Sequence, residues 1–112
     1  MSGTVTSGVD RLLLRRFRSR IEQRLRVERL LVFGSRARGA QRPDSDYDLI
    51  LVSPDFEGVR PLWRGHGLNV VWNDLHPGMD VELICVTPRE FESAAARPTS
   101  WLHAAVQEAL VV

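Results

Sequence analysis

No lysine occurs anywhere in the 112 residues, and all fifteen cationic side chains are arginine. That absence excludes a P-loop, whose phosphate-gripping residue is a lysine, and any mechanism through a Schiff base or a nucleotidylated lysine. Cysteine is nearly absent too. The single one, Cys85, cannot form an internal disulfide, and its place in an apolar run reads as a buried thiol in a reducing compartment. Long hydrophobic runs are missing. The opening MSGTVTSGVD has no apolar h-region, and no stretch approaches the roughly 20 residues of a membrane helix. The expectation is a cytoplasmic protein with no membrane partner. Internal repeats and low-complexity segments are also absent.

What is present fits one globular domain spanning residues 1–112, with 1–9 expected to be frayed. A chain of this size can bury roughly two-thirds of its unfolded surface around one core, and 44% apolar with 26% charged residues is an ordinary globular composition. The net charge of +1 conceals an asymmetry. Before Pro43 there are eleven arginines against three carboxylates; from Pro43 onward there are four against eleven. One half therefore invites an anionic partner and the other a cationic one.

Asp10 is placed to cap a helix from Arg11 to about Arg26, where Leu13 or Leu14, Phe17, Ile21 and Leu25 recur at spacings of three and four. The short run Leu30 to Phe33, halted by Gly34, reads as a buried strand followed by a tight loop and one helical turn. Arg42-Pro43-Asp44-Ser45 is a turn signal, and Tyr47 to Val52 is a second strand. Residues 55–78 are ambiguous. Val59, Leu62, Trp63, Val70 and Val71 could line one helix face, against which Gly65 and Gly67 each cost about 1 kcal/mol. Val81 to Val86 is a third strand. Thr87-Pro88-Arg89-Glu90 is a capping box that opens another helix, which Pro98 breaks. Thr99 or Ser100 caps a last helix through about Ala109, and Leu110 to Val112 is either its end or an added edge strand.

Three features carry chemistry. Gly34-Ser35, where a strand hands over to a helical turn, leaves backbone N–H groups and a hydroxyl facing open space, as a phosphate site requires. Asp46 and Asp48 lie two apart at the start of the second strand, so their carboxylates share a face about 7 Å apart along the backbone. Like charges beside an apolar run repel, and a hard divalent cation relieves them. Asp80 and Glu82 open the third strand, again with both acids expected on one face. If the second and third strands are neighbours, a third carboxylate joins the first two. Carboxylates around Mg²⁺ beside a phosphate-binding turn are the equipment of phosphoryl or nucleotidyl transfer.

Phe33-Gly34-Ser35-Arg36-Ala37-Arg38-Gly39, followed by Asp44-Ser45-Asp46-Tyr47-Asp48-Leu49, resembles the signature of the minimal nucleotidyltransferases of the DNA polymerase beta-like superfamily. Val81 to Glu92 resembles that family's third-carboxylate strand and the helix cap after it. The resemblance implies an α/β (α+β) fold, a short mixed sheet flanked by helices. It further implies Gly34 and Ser35 at the nucleotide triphosphate, Asp46 and Asp48 as Mg²⁺ ligands, and a third carboxylate that completes the metal site and acts as general base. In register with the cap, that carboxylate is Glu82, where the family usually has aspartate; glutamate reaches about 1.5 Å further. Asp80 is the second candidate. Arg38 matches a family position, and Arg36 and Arg38 are both assigned to the nucleotide.

Function follows from the same resemblance. The expected activity is Mg²⁺-dependent transfer of AMP from ATP to a hydroxyl, that of a protein adenylyltransferase-like nucleotidyltransferase. The implied partner is a small helical protein of the HEPN type, in a toxin–antitoxin pair. The alternative is a weakly active or inactive antitoxin or adaptor that acts by binding its partner. A homo-oligomer is left open. The eight arginines from Arg11 to Arg29 read as a solvated face rather than a nucleic-acid surface, because aromatic interleaving is absent. His66, His76 and His103 lack metal-ligand spacing, and Trp63, Trp72 and Trp101 read as packing residues.

Overall fold

A computed structural model describes residues 5–6, 9–40, 42 and 45–112 of the chain. The element order is β1 (Val5–Thr6), β2 (Val9–Asp10), α1 (Arg11–Glu22), β3 (Arg29–Phe33), α2 (Ser35–Arg38), β4 (Tyr47–Val52), α3 (Leu68–Leu75), β5 (Val81–Val86), α4 (Pro88–Ala95), α5 (Trp101–Glu108) and β6 (Leu110–Val111). Strands β1 and β2 form a two-residue antiparallel ribbon, and Val9 is buried. Part of the stretch expected to fray is therefore paired; residues 1–4, 7 and 8 lie outside the described residues.

Asp10 caps α1, its Oδ1 accepting the Leu13 N–H at 3.1 Å. The stripe Leu13, Leu14, Phe17 and Ile21 is buried, and each such side chain contributes roughly 1.5–3 kcal/mol. The helix stops at Glu22, one turn before the expected Arg26, and Leu25 packs on the core from the following turn.

The main sheet has the order β5-β4-β3-β6. β3 is antiparallel to β4 and to β6, whereas β4 and β5 are parallel. The sheet is therefore mixed, as expected. Alternation along the strands divides the core in two. On one face Leu30, Val32, Tyr47, Leu49 and Leu51 pack against α1 and α3, with Phe17 edge-on to Trp72 at 5.1 Å. On the other face Leu31, Ile50 and Val52 meet Phe91 of α4 and Leu102 and Ala105 of α5. Trp72 satisfies its indole N–H on the Met79 carbonyl at 2.8 Å. Cys85 is half-buried, and burial pushes its thiol up to about 11 against the opposing charge of Arg64.

Residues 55–78 do not form the long helix that their apolar residues suggest. Pro54–Phe56 and Pro61–Trp63 are 3₁₀ turns, and only Leu68–Leu75 is α-helical. Gly65 and Gly67 hold φ of +71° and +84°, outside the right-handed helical region, so α3 cannot begin before Leu68. Leu62, Trp63 and Val70 are consequently exposed. Elsewhere local signals hold. The reciprocal Thr87–Glu90 capping box forms, Ser100 caps α5, and Leu110–Val111 is an edge strand on β3. Among the described residues no helix is long and apolar enough to cross a membrane.

Candidate active site

Strand direction decides which loops meet. β3 ends where the antiparallel β4 and the parallel β5 begin, so Gly34, Asp46, Asp48 and Glu82 converge on one end of the sheet. The register pairs Phe33 with Asp48 and Asp48 with Glu82, and residues directly opposite across strands present their side chains on the same face. Asp46 immediately precedes β4 and is exposed. Gly34 adopts φ +77° and ψ −156°, a region open essentially to glycine alone. A Cβ there would overlap Asp48 Oδ2 and lie 3.2 Å from Asp48 Cγ.

Asp80 and Glu82 separate. Asp80 lies before β5, gives its carbonyl to the Tyr47 N–H at 3.3 Å, and borders a cleft with Asn69, Trp72 and Asn73 of α3. Glu82 stands within β5 beside Asp48, and the two carboxyls hydrogen-bond. Of the two acids, only Glu82 acts on Asp48.

Arg36 and Arg38 separate as well. Residues two apart on a helical turn point roughly 200° away from each other. Arg36 runs inward with 7% exposure, its guanidinium 4.3 Å from the Tyr47 ring centre, and donates to the Ser45 carbonyl at 3.0 and 2.7 Å. It thereby braces the backbone just ahead of Asp46. Arg38 runs outward, where its Nη1 donates to both carboxylate oxygens of Glu108 at 3.0 Å. The Gly34 N–H also donates to Glu108 Oε2, at 2.8 Å. The hydroxyl of Ser35 has no hydrogen-bond partner among the described residues. Asp44, a turn former in the sequence reading, lies outside the described residues; the Arg42 N–H donates to Ser45 Oγ at 2.7 Å.

The sequence reading missed Glu108. Its signal lies in the β6 register, which pairs Leu31 with Val111 and Val32 with Leu110; two residues on from Val32 and two back from Leu110, Glu108 comes opposite Gly34. That register follows only from knowing that the C-terminal strand joins β3.

A family model for the nucleotidyltransferase domain matches residues 14–108. The chain belongs to the nucleotidyltransferase domain family. Its fold is similar to a crystal structure from Sulfolobus solfataricus assigned as a nucleotidyltransferase, 17% identical, with a TM-score of 0.53 over 99% of this chain and 90% of that one. No curated protein matches the chain. Membership is consistent with the minimal type that the Gly34-Ser35 and Asp46-Tyr47-Asp48 motifs resemble.

The electrostatics of this nucleotidyltransferase domain centre on Asp48. Burial first, then the hydrogen bond and charge of Glu82, then the charge of Asp46 push its carboxyl up to about 6, with Arg38 opposing. Among the described residues no group of three or more Asp, Glu, His or Cys side chains is arranged to hold a metal ion. Present instead is the Asp48–Glu82 pair under the field of Asp46, an all-oxygen donor set of the kind hard divalent cations take. Burial and neighbouring carboxylates both disfavour the ionised form of Asp48, and a cation would favour it. The Asp48–Glu82 pair thus offers oxygen donors of the class a hard cation takes.

Proposed function

We propose that this nucleotidyltransferase domain binds ATP with Mg²⁺ and transfers AMP to a hydroxyl, and that the acceptor is a tyrosine on a small helical HEPN-type protein in an antitoxin–toxin pair. The observation that carries the reading is the placing of Asp48 directly opposite Glu82, two residues after Asp46 and against Gly34. Asp46, Asp48 and Glu82 would hold the cation. Bound there, Mg²⁺ supplies positive charge that offsets the triphosphate and the departing pyrophosphate.

The chain's own groups divide the remaining work. The Gly34 N–H, the Ser35 hydroxyl and the Arg38 guanidinium are the donors for triphosphate oxygens. With no lysine in the chain, arginine is its only always-charged donor to the leaving group. Glu82 accepts the proton of the attacking hydroxyl as the new oxygen–phosphorus bond forms and the bond to pyrophosphate breaks. Arg36 acts on position alone, fixing the Ser45 carbonyl next to Asp46.

A second reading, an antitoxin that binds without efficient transfer, is favoured by glutamate at 82 in place of aspartate. Incubation with Mg²⁺ and α-labelled ATP, with and without the partner, separates the two. Label on the partner that disappears in Asp46→Ala supports transfer. Normal partner binding with no label from the wild type overturns it, and label appearing only in Glu82→Asp assigns the deficit to the longer side chain.

A further inference from the structure

The last helix delivers an anion to the place where the triphosphate is proposed to sit. Glu108 is the final residue of α5, and its polar contacts are the Gly34 N–H at 2.8 Å and Arg38 Nη1 at 3.0 Å to each carboxylate oxygen. Its side chain is only 28% accessible. A carboxylate and a phosphate share the chemistry that matters here: two or more anionic oxygens that accept charge-assisted hydrogen bonds from arginine and from backbone N–H groups.

We infer that Glu108 is an internal stand-in for phosphate, which closes the Gly34–Arg38 anion site until a polyphosphate displaces it. The inference rests on the nucleotide reading of that site. Helix α5 does not depend on the Glu108 contact for its place. Ser100 caps its start, Leu102 and Ala105 are buried against the sheet, and Leu110–Val111 pairs with β3, with a further bond from Val112 N–H to the Leu30 carbonyl. The carboxylate can therefore turn out by side-chain rotation while the helix stays docked.

Specificity follows from the exchange. A ligand gains the Gly34 and Arg38 bonds only by breaking those already made to Glu108, so its apparent affinity is reduced by the fraction of molecules with the site open. A monophosphate offers little beyond what the carboxylate supplies. A nucleoside triphosphate with Mg²⁺ adds contacts at Asp48 and Glu82 and outcompetes it. Glu108 thus selects for polyphosphate ligands over inorganic phosphate.

Calorimetric titration of the wild type, Glu108→Gln and Glu108→Ala tests this, using ATP with Mg²⁺, inorganic tripolyphosphate with Mg²⁺, and inorganic phosphate. Thermal melting first establishes that each variant is folded; the glutamine keeps the shape of the side chain should alanine destabilise α5. Both variants are expected to bind ATP and tripolyphosphate about tenfold more tightly than the wild type, and to bind inorganic phosphate measurably. In amide spectra the Gly34 signal of the wild type is expected to move on adding tripolyphosphate. Folded variants that bind ATP no more tightly than a wild type that does bind overturn the role of Glu108 and leave the nucleotide site standing. Absence of ATP binding in the wild type and in both variants overturns the two together.

Discussion

Gly34 and Asp48 approach so closely that the glycine's missing side chain is what makes room for the carboxylate, since a Cβ on Gly34 would overlap Asp48 Oδ2. Conformation and contact therefore exclude other residues independently. Gly34→Ala must adopt the φ of +77°, at a cost of about 1–3 kcal/mol, and must displace Asp48 as well. Its urea midpoint is expected to fall accordingly, and Mg²⁺-dependent ATP binding is expected to be lost. A variant with the wild-type midpoint would mean that the backbone at residue 34 is not held in this conformation.

Asp48 predicts an unusual pH response. Its folded value of about 6 lies above the roughly 3.9 of an unfolded aspartate. The folded state then holds the proton more tightly. The stability this group contributes is complete below about pH 4 and is lost as pH rises through about 6. Glu90, Glu108 and Asp55 are shifted downward by Arg64, Arg38 and Arg26 and act in the opposite sense, so the useful quantity is a difference. Urea midpoints of the wild type minus those of Asp48→Asn should fall between pH 4 and 6.5. Millimolar Mg²⁺ should shrink that fall, because a cation favours the ionised carboxyl. A difference that is flat with pH would mean the carboxyl titrates normally.

Arg36 is exchanged for lysine at a measurable cost. The guanidinium stacks on Tyr47 and bonds the Ser45 carbonyl twice, and an ammonium cannot reproduce the planar fork. Arg36→Lys is expected to lose about 1–2 kcal/mol of stability and to weaken Mg²⁺-dependent ATP binding, because Asp46 follows the braced carbonyl. Arg38→Lys, at an exposed position, should keep its stability. Equal midpoints for the two lysine variants would contradict the different places of the two arginines.

How much of this was legible in the sequence depends on how local the cause is. Tyr47–Val52 and Val81–Val86 stand out as strands because apolar runs end at turn residues, and Thr87 with Glu90 announces a helix start through bonds spanning three residues. The carboxylates were legible as residue types, and the resemblance grouped Asp46, Asp48 and Glu82; the parallel β4–β5 register that sets Asp48 opposite Glu82 is not a local signal and had to be assumed. Residues 55–78 misled because their apolar side chains have helical spacing while Gly65 and Gly67 hold left-handed backbone. Glu108 was invisible for a third reason: it reaches Gly34 through a strand pairing 74 residues away in sequence.

Arg64 supports the opposite end of the sheet and allows stability to be separated from activity. With its side chain 7% accessible, it donates to Glu90 at 2.6 and 3.2 Å, to the Val59 carbonyl at 2.8 Å and to the Cys85 carbonyl at 3.4 Å. Glu90 Oε1 also accepts the Thr87 N–H at 2.9 Å, so a single guanidinium ties the irregular 54–67 segment to the α4 cap. Arg64→Ala leaves two carbonyls without this donor and is expected to cost about 2–4 kcal/mol. Glu90→Ala removes one side of the capping box and should cost about 1–2 kcal/mol. Since both act on one network, the double variant should lose less than the two single losses combined. Additive losses in urea unfolding would show that the Arg64–Glu90 contact contributes nothing. The folded fraction of either variant should bind ATP as the wild type does, because none of these bonds touches Gly34, Asp46, Asp48 or Glu82.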